Sequence, residues 1–365
     1  MIGDLRLAEV FCGTGGFSSG AHRAGFKVAA AFDIDPILTS AYKKNFPNTN
    51  LVIADVGKLT GPQIIEKSGG RIDGLFGGPP CQGFSSIGLR QPDDHRRELL
   101  RHFFRLVLET EPSFFIMENV PGLWHGENRR ELLECIGTVD ERYHVAPPMI
   151  LNATDFGAAT KRSRLFVIGT RKGLCDPLSH ADIEAQKKRP VTVSEAIYDL
   201  MEAVHIGDDV DGFDYWQLRK GTVSGYASSL RSPDGRFTGN RLTKHTSGVV
   251  ERFSKVSPGT VDKVGRHFKL SPEGFCPTIR AGTGSDRGSY QAVRPLHPLE
   301  PRVITVREAA RLQGFPDDHV FHPTVWHSFR MIGNSVSPIM GKAIFDAMRH
   351  KLEIGFVKPK FRLYG

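Results

Sequence analysis

The sequence predicts an α/β fold, a doubly wound and mostly parallel sheet, with a second, smaller, loop-rich domain. Short apolar runs alternate with helix-like segments through the first half of the chain, which is the pattern of parallel strands joined by crossover helices. Glycine-rich or acidic residues directly follow several of these runs, as expected at the carboxyl ends of parallel strands. At 365 residues the chain exceeds the size at which single cores usually stop growing, so one large domain plus a smaller one is expected.

The first strand is predicted from Leu5 to Phe11, and a glycine turn follows it. Residues 12–16 read Cys-Gly-Thr-Gly-Gly, and a helix is predicted from Phe17 to Ala24, with Gly25 as its stop. Such a turn after a first strand is typical of a site for a nucleotide-like cofactor. The dinucleotide fingerprint is incomplete, because Ser18 occupies its third glycine position. The turn alone therefore identifies no particular cofactor.

Acidic residues end the next two predicted strands. The run from Lys27 to Phe32 leads to Asp33, at about the distance where a carboxylate accepts hydrogen bonds from ribose hydroxyls. The run from Leu51 to Ala54 leads to Asp55. Acids rather than cations near the pocket favour a cationic sulfonium cofactor such as S-adenosylmethionine over NAD, whose pyrophosphate would need a cradle.

A thiol follows the predicted strand from Ile72 to Phe76, on a loop of small residues. Residues 77–85 read Gly-Gly-Pro-Pro-Cys-Gln-Gly-Phe-Ser. Glycine lets the backbone come close to a substrate, and proline fixes the shape of the loop. Cys81 is therefore a candidate nucleophile. A free cysteine taken alone is more often a buried small hydrophobe, so the interpretation depends on the residues near it.

A carboxyl group and two guanidinium groups also stand at predicted strand ends. Glu118 ends the apolar strand that begins at Phe114. Arg162 and Arg164 precede the apolar run from Leu165 to Gly169, and their spacing of two places both on one side of an extended chain. Taken singly, Glu118 could cap the next turn and the arginines could be a solvated pair. A thiol, a carboxyl and paired guanidiniums at neighbouring strand ends favour one reactive site.

Composition restricts the class of protein. No apolar run reaches membrane-spanning length, and the first four residues lack a basic stretch followed by an apolar one. We therefore expect a cytoplasmic protein without a membrane partner. The five cysteines are odd in number and scattered, with no Cys-x-x-Cys pair, which argues against a disulfide framework and predicts no metal site.

Positive charge is concentrated between Trp216 and Tyr290. This segment holds 13 Lys and Arg against 5 Asp and Glu, so its net charge of +8 equals that of the whole chain. The segment is also rich in Gly and Ser and lacks the alternation of strands and helices. A basic lobe beside a catalytic sheet is the electrostatic pattern of a protein that binds duplex DNA. A solvated, variable insertion is the alternative.

Two helices are predicted in the last part of the chain. Thr305 followed by Glu308 is a capping-box signature for a helix that supports the lobe. Apolar residues at helical spacing predict a mostly buried helix from Ser335 to Met348. Asn334 would stand at the start of that helix and close the cofactor pocket from the far end of the chain.

Eight short motifs follow one another along almost the whole chain: Phe11-x-Gly13-x-Gly15-Gly16, Asp33-x-Asp35-Pro36, Asp55, Pro79-Pro80-Cys81-Gln82, Glu118-Asn119-Val120, Arg162-x-Arg164, residues 307–316, and Gly333-Asn334-Ser335-Val336. In these motifs and in their order the chain resembles the bacterial-type cytosine-5 DNA methyltransferases. It departs from that family at Ala159-Thr160, where the family usually has Pro-Gln.

The resemblance implies a fold of the S-adenosylmethionine-dependent methyltransferase type. It also implies transfer of a methyl group from S-adenosylmethionine to carbon 5 of a flipped-out cytosine in double-stranded DNA, through a covalent cysteine adduct. Residues 1–203 and 291–365 would form the catalytic and cofactor-binding domain, and residues 204–290 the DNA target-recognition domain. We also expect a monomer, and a restriction endonuclease that acts separately.

The resemblance assigns three groups of site residues. The catalytic group is Cys81, Glu118, Arg162 and Arg164. The cofactor group is Phe11, Gly13, Thr14, Gly16, Asp33, Ile34, Asp55, Val56, Pro80, Leu99, Asn334 and Val336. The DNA-contacting group is Gln82, Ser85, Arg97, Thr278 and Arg280.

Three other functions share some of these features. A tRNA methyltransferase of the same fold would use the same thiol and acid, but its usual Cys-Phe-Thr block does not occur in this sequence. A non-catalytic DNA-binding relative would be expected to have lost Cys81 or Glu118, and both are present. A nicotinamide oxidoreductase would leave the thiol, the acid and the arginines without a role.

Overall fold

A computed structural model of the chain describes residues 5–80, 95–281 and 293–357. Its strands are β1 (Arg6–Val10), β2 (Lys27–Asp33), β3 (Asn50–Ile53), β4 (Gly74–Gly77), β5 (Phe114–Asn119), β6 (Tyr143–Val145), β7 (Met149–Asn152), β8 (Thr160–Lys161), β9 (Ser163–Arg171), β10 (Val204–Asp208), β11 (Asp214–Gln217), β12 (Arg236–Thr238) and β13 (Cys276–Pro277). Its helices are α1 (Gly16–Arg23), α2 (Tyr42–Asn45), α3 (Gly61–Lys67), α4 (His95–Thr110), α5 (Gly126–Gly137), α6 (His180–Glu184), α7 (Val193–Ile197), α8 (Gly225–Leu230), α9 (Ser247–Ser254), α10 (Val306–Gln313), α11 (Val325–Asn334) and α12 (Pro338–Val357). Short 3₁₀ turns cover Pro121–Trp124, Ala153–Asp155 and Tyr198–Glu202.

The largest sheet in the part of the chain described has eight strands in the order β3-β2-β1-β4-β5-β9-β6, with β7 also paired to β9. Strands β1 to β5 are mutually parallel, and β9 runs antiparallel to β5. The strand order reverses at β1, which has β2 on one side and β4 on the other. Ligands of open α/β sheets gather beyond the carboxyl ends of the strands at such a reversal.

Helices cover both faces of this sheet. On one face, α1, α6 and α12 bury an apolar cluster that includes Phe17, Ile183 and Phe345. On the other, α3, α4 and α5 bury a second cluster that includes Ile64 and Phe103. The predicted doubly wound, mostly parallel α/β fold is confirmed.

The C-terminal helices differ from the prediction in one place. Thr305 accepts a hydrogen bond from the Glu308 N–H in a complete capping box, so α10 begins as predicted. Asn334 was expected to start the last helix, but it is the final residue of α11. The last helix begins at Pro338, because proline suits the first turn of a helix, where its missing N–H costs no hydrogen bond. Helical spacing alone does not locate that start.

Residues 204–281 contain short elements packed against the rest of the chain. Strands β10, β11 and β12 form an antiparallel sheet, and β13 pairs with β8 of the N-terminal half. A third apolar cluster joins Leu218 and Phe237 of this segment to Ile197 before it and to Ile304 and Phe315 after it. The segment therefore shares a core with both flanking parts of the chain.

The described residues include no helix with the length and apolar character required to cross a membrane. Within the same residues, no cluster of three His, Cys, Asp or Glu side chains is placed to hold a metal ion. The cysteines at positions 12, 135, 175 and 276 are free thiols.

Candidate active site

The candidate residues follow one edge of the main sheet, because each lies at or next to one end of a paired strand. The pairing of the strands brings their ends together at this edge. Val10 of β1 pairs with both Phe32 of β2 and Gly77 of β4. Asn119 of β5 pairs with Leu165 of β9. Neighbouring strands lie roughly 5 Å apart. Reading across the sheet from β3 to β9, the edge presents Asp55, Asp33, the turn at residues 11–16, Pro79-Pro80, Glu118 and Arg164.

The glycine turn leaves open space in front of its backbone. Phe11 and Gly13 both adopt left-handed backbone conformations, with φ of 60° and 51°, and phenylalanine rarely does so outside functional sites. A side chain built on Gly13 would meet no atom within 4 Å. The Gly13 N–H donates to Asp33 Oδ2 at 2.8 Å, so the turn is tied to the end of β2.

Asp33 is held by two backbone donors. Its Oδ1 accepts from the Asp35 N–H at 2.9 Å, in addition to the bond from Gly13 at Oδ2. Burial raises the pKa of Asp33, and the N–H groups of Asp35 and Gly13 oppose that rise. Each oxygen keeps a second lone pair, which can accept a ligand hydroxyl. Next to Asp33, the Ile34 side chain is 64 % exposed. It offers an apolar surface on which an aromatic ring of a ligand could lie.

The other predicted cofactor residues differ in how deeply they are buried and in which groups they contact. Asp55 accepts the Gly57 N–H at 2.9 Å through Oδ1. Thr14 and Val56 are 2 % exposed, and the Thr14 hydroxyl lies 3.5 Å from His319 Nε2. Its side chain therefore faces the protein. Pro80 at the end of the first described range and Leu99 in α4 are half-buried.

Residues from the first and the last parts of the chain meet behind the glycine turn. A side chain on Gly16 would overlap the Ser335 hydroxyl and the Val336 carbonyl oxygen, so only glycine permits this contact. Val336 is buried, whereas Asn334 is exposed at the end of α11. The segment that contains both residues thus packs against the turn.

These residues fit the class of cofactor that the sequence favoured. The open face of Gly13, the carboxylates of Asp33 and Asp55, and the exposed Ile34 side chain together suit a nucleoside with free hydroxyls and a positive charge. Carboxylates attract a sulfonium and would repel a pyrophosphate. The residues at this turn could therefore hold a sulfonium cofactor.

Glu118 forms a buried ion pair at the end of β5. Its Oε1 lies 2.7 Å from Arg164 Nε, with both side chains close to 90 % buried. Burial raises the pKa of Glu118, while the positive charges of Arg164 and Arg162 oppose the rise. A side chain on Gly78 would stand 2.8 Å from Glu118 Oε2, so the loop that leads to residue 81 leaves β4 directly beside this carboxyl.

Arg162 has different partners from Arg164, although only one residue separates them. It is 1 % exposed, and its Nη2 donates to the Gly333 carbonyl at 2.8 Å while Nη1 donates to the Ile279 carbonyl at 3.4 Å. The spacing of two predicted that both guanidiniums point to one side. In the structure, Arg164 pairs with the carboxyl of Glu118, and Arg162 donates to two backbone carbonyls from distant segments. Both positive charges act on Glu118.

The Ala159-Thr160 pair is braced by the end of the basic segment. The Ala159 carbonyl accepts the Cys276 N–H at 2.9 Å, and the Thr160 hydroxyl donates to the Cys276 carbonyl at 3.2 Å. Thr278 is exposed, and its hydroxyl donates to the Lys161 carbonyl at 2.6 Å. These bonds place Thr278 beside the two arginines. Arg280, two residues further on, is also exposed.

Asn119 was not among the predicted site residues, although it belongs to the Glu-Asn-Val block. Its Nδ2 donates to the Pro79 carbonyl at 3.1 Å, and it therefore fixes the start of the loop that carries the candidate nucleophile. Its place in a motif next to Glu118 was the signal. Cys81, Gln82 and Ser85 lie outside the described residues, and Arg97 lies in α4.

Comparison with known proteins gives consistent results. A family model described as C-5 cytosine-specific DNA methylase matches residues 5–350. The chain is 41 % identical over 368 residues to the Type II methyltransferase M.XorII of Xanthomonas oryzae pv. oryzae, an alignment that covers 94 % of this chain and 85 % of the relative.

Two solved structures illustrate the structural similarity. A DNA modification methyltransferase encoded within an E. coli prophage is 38 % identical, with a TM-score of 0.84, over 96 % of this chain and 100 % of the other. The S. pombe Dnmt2 methyltransferase has a TM-score of 0.63 at 18 % identity, over 96 % of this chain and 99 % of the other, and so shares the fold.

Proposed function

Because this chain belongs to the C-5 cytosine-specific DNA methylase family and is a DNA cytosine-5 methyltransferase, we propose that it flips a cytosine out of duplex DNA and methylates it through a covalent adduct with Cys81. The observation that carries the proposal is the buried ion pair of Glu118 and Arg164 beside the Gly78-Pro79-Pro80 loop. A buried carboxyl held by an arginine at a sheet edge suits proton donation to an electron-poor ring.

S-adenosylmethionine is the proposed cofactor, and when bound it supplies an electrophilic methyl group. Asp33 and Asp55 would accept hydrogen bonds from it, Ile34 would contact its ring, and the turn at residues 11–16 would approach it through backbone. The open space at Gly13 and the second lone pairs on Asp33 support this assignment.

Cys81 is the proposed nucleophile. Carbon 5 of cytosine is too weak a nucleophile to take a methyl group unaided, so the thiolate adds to carbon 6 and the ring electrons move toward carbon 5. A bond forms between sulfur and carbon 6 while the ring double bond shifts. After carbon 5 has gained the methyl group, a base removes its proton, and those electrons re-form the double bond and expel Cys81.

Glu118 is the proposed acid for this addition. Negative charge develops on the ring at nitrogen 3, and a protonated carboxyl next to that atom neutralises it by donating its proton. Burial favours the protonated form of Glu118. Arg164 holds the carboxyl in place through Nε and is the candidate to grip the carbonyl oxygen of the ring, while Arg162 acts on Glu118 by its charge.

The DNA must present the cytosine outside the base stack, which costs a few kcal/mol. We assign the filling of the gap to Gln82 and residues 85–97, and contacts near the flipped base to Thr278 and Arg280. Residues 204–290 are the proposed target-recognition domain, and residues 1–203 and 291–365 the proposed catalytic domain. The basic charge of the first and the position of Thr278 beside Arg162 support this division.

The proposed function involves two partners, a restriction endonuclease and duplex DNA. The relative M.XorII is a Type II methyltransferase, and this supports a separate restriction endonuclease that cuts the same sequence. The protein would act on duplex DNA as a monomer, since one chain supplies all the proposed site residues.

The covalent step has a direct test. Bisulfite sequencing of plasmid DNA from an expressing cell would first give the methylated sequence. A duplex with 5-fluorocytosine at that position should be methylated once and then stay bonded to the protein, because fluorine cannot leave as a cation. Cys81→Ala should remove both turnover and the denaturation-resistant adduct, while Cys175→Ala, a half-buried thiol after β9, should change neither. An adduct formed by Cys81→Ala would exclude Cys81 as the nucleophile.

A further inference from the structure

We infer that Arg330 is a positioning residue that couples the cofactor pocket to the cytosine side of the site through helix α11. The inference rests on the proposed function of the two pockets. The middle of α11 contacts the loop after β2, and the end of α11 contacts Arg162. Both contacts are made by the same ten residues of helix.

The contact on the cofactor side is an ion pair with an ordered loop. Arg330 Nη2 lies 2.8 Å from Asp35 Oδ2. The other oxygen of Asp35 accepts the N–H groups of Ile37 and Leu38 at 2.9 and 3.0 Å, and the Asp35 N–H donates to Asp33. Arg330 therefore holds the same short loop that carries Asp33 and Ile34.

The contact on the cytosine side lies one helical turn further along. Gly333 follows Arg330 by three residues, and its carbonyl accepts the bond from Arg162 Nη2 at 2.8 Å. A side chain on Gly333 would overlap the backbone of Ala281, so this end of α11 is in close contact with the segment after β13. Gln313 Nε2 donates to the Ile332 carbonyl at 2.7 Å and to the Ser335 carbonyl at 3.0 Å.

These contacts form a continuous chain from Gly13 through Asp33, Asp35 and Arg330 to Arg162, whose charge acts on Glu118. A helix transmits displacement along its axis because its own hydrogen bonds resist deformation. A cofactor that orders the loop after β2 would thereby favour one position of Gly333 and of Arg162. Occupancy of one pocket would then change affinity at the other.

The ion pair itself is a poor candidate for a stabilising element. The side chains of Arg330 and Asp35 are 29 % and 22 % exposed, and ion pairs in contact with solvent contribute little to stability. Replacing Arg330 should therefore leave a folded protein. This allows the coupling to be measured apart from folding.

The test measures how S-adenosylhomocysteine changes the affinity of the protein for a DNA duplex that contains its target sequence. In the wild-type protein we expect the dissociation constant for DNA to fall about tenfold when S-adenosylhomocysteine is saturating, within the usual range of coupling between sites. In Arg330→Met the change should be less than twofold, with the affinity for DNA alone unaltered. Arg330→Lys, which keeps the positive charge, should restore most of the effect.

Two controls separate coupling from a general loss of structure. Lys342→Met removes the ion pair with Asp346 at similar exposure on α12, and it should keep the full tenfold effect. Because coupling is reciprocal, DNA must change the affinity for S-adenosylhomocysteine by the same factor in every variant.

The possible outcomes distinguish failure of the proposed function from failure of the role assigned to Arg330. A wild-type protein that neither binds S-adenosylhomocysteine nor methylates DNA would overturn the proposed function itself. A wild-type protein that does both, but whose Arg330→Met variant keeps the full coupling, would overturn the role of Arg330 alone. The same conclusion would follow if the wild-type protein showed no coupling, or if Arg330→Lys behaved like Arg330→Met.

Discussion

The sheet edge and the described part of the basic segment, residues 216–281, both carry charge, but they hold it differently. At the edge, Asp33, Glu118 and Arg162 are at most 9 % exposed, and each is fixed by named hydrogen bonds or an ion pair. In the basic segment, Lys244 and Lys263 are exposed and make no ion pair with any described residue. The edge thus depends on single groups in fixed geometry, and the segment on the sum of its charges.

Because of this difference, the two regions should respond differently to amino-acid substitutions. A buried charged group that loses its partner or its proton loses most of its contribution to binding or catalysis, because no neighbouring group can take over its role. An exposed lysine contributes to DNA affinity through the electrostatic field, which many neighbours share. Substitutions at the edge should therefore have large, specific effects, and substitutions in the segment should have small, additive ones.

The largest expected effect is that of Glu118→Gln. The amide fits the same space but cannot transfer a proton to the ring, and general acid catalysis typically contributes 10²–10⁴-fold. We expect the single-turnover rate of methyl transfer to fall by about that factor, with duplex affinity nearly unchanged. Glu109→Gln, on the surface of α4, is the matched control. A Glu118→Gln rate within tenfold of wild type would rule out Glu118 as the acid.

Asp33→Asn should weaken cofactor binding. The amide loses the negative charge and one acceptor position, and hydrogen bonds that involve a charged group contribute about 1.5–3 kcal/mol. Calorimetry should show a dissociation constant for S-adenosylhomocysteine raised by roughly 10- to 150-fold. Asp73→Asn changes a carboxylate that accepts the Arg6 N–H before β4, away from the edge, and it should have no effect. Unchanged affinity in Asp33→Asn would place the cofactor elsewhere.

Replacing Lys244 and Lys263 together by Ala should have the smallest effect. Removing one phosphate-binding charge lowers the slope of log affinity against log salt by about one unit, while the methylated sequence should stay the same. Filter binding over a salt series measures the slope. Lys27→Ala, at the start of β2 on the opposite edge of the sheet, serves as the control. An unchanged slope in the double variant would move the DNA surface away from this segment.

The strands at the site were predictable because each apolar run and the functional residue at its end are neighbours in the sequence. Apolar runs that end in Asp33, in the Gly-Gly-Pro-Pro loop and in Glu118 predicted β2, β4 and β5. The capping box at Thr305 likewise predicted the start of α10. Each of these features depends on residues that are close in sequence.

The partners of Arg162 and Arg330 were not predictable, because they come from distant parts of the chain. The carbonyls of Ile279 and Gly333 that bind Arg162 carry no side-chain signal in the sequence. The ion pair of Arg330 with Asp35 joins two residues that no local pattern relates. The misplacement of Asn334 has a related cause, since apolar spacing continues across the break between α11 and α12.

The contact of Gly16 with Ser335 and Val336 has a consequence for biosynthesis. Helix α12 also packs closely on α1, where a side chain on Gly20 would overlap the backbone of Gly341 and Lys342, and the Phe17 and Phe345 rings are 5.3 Å apart. A ribosome makes the glycine turn before it makes these packing partners. A chain still under synthesis therefore lacks the inner wall of the proposed cofactor pocket until residues 335–345 have been added.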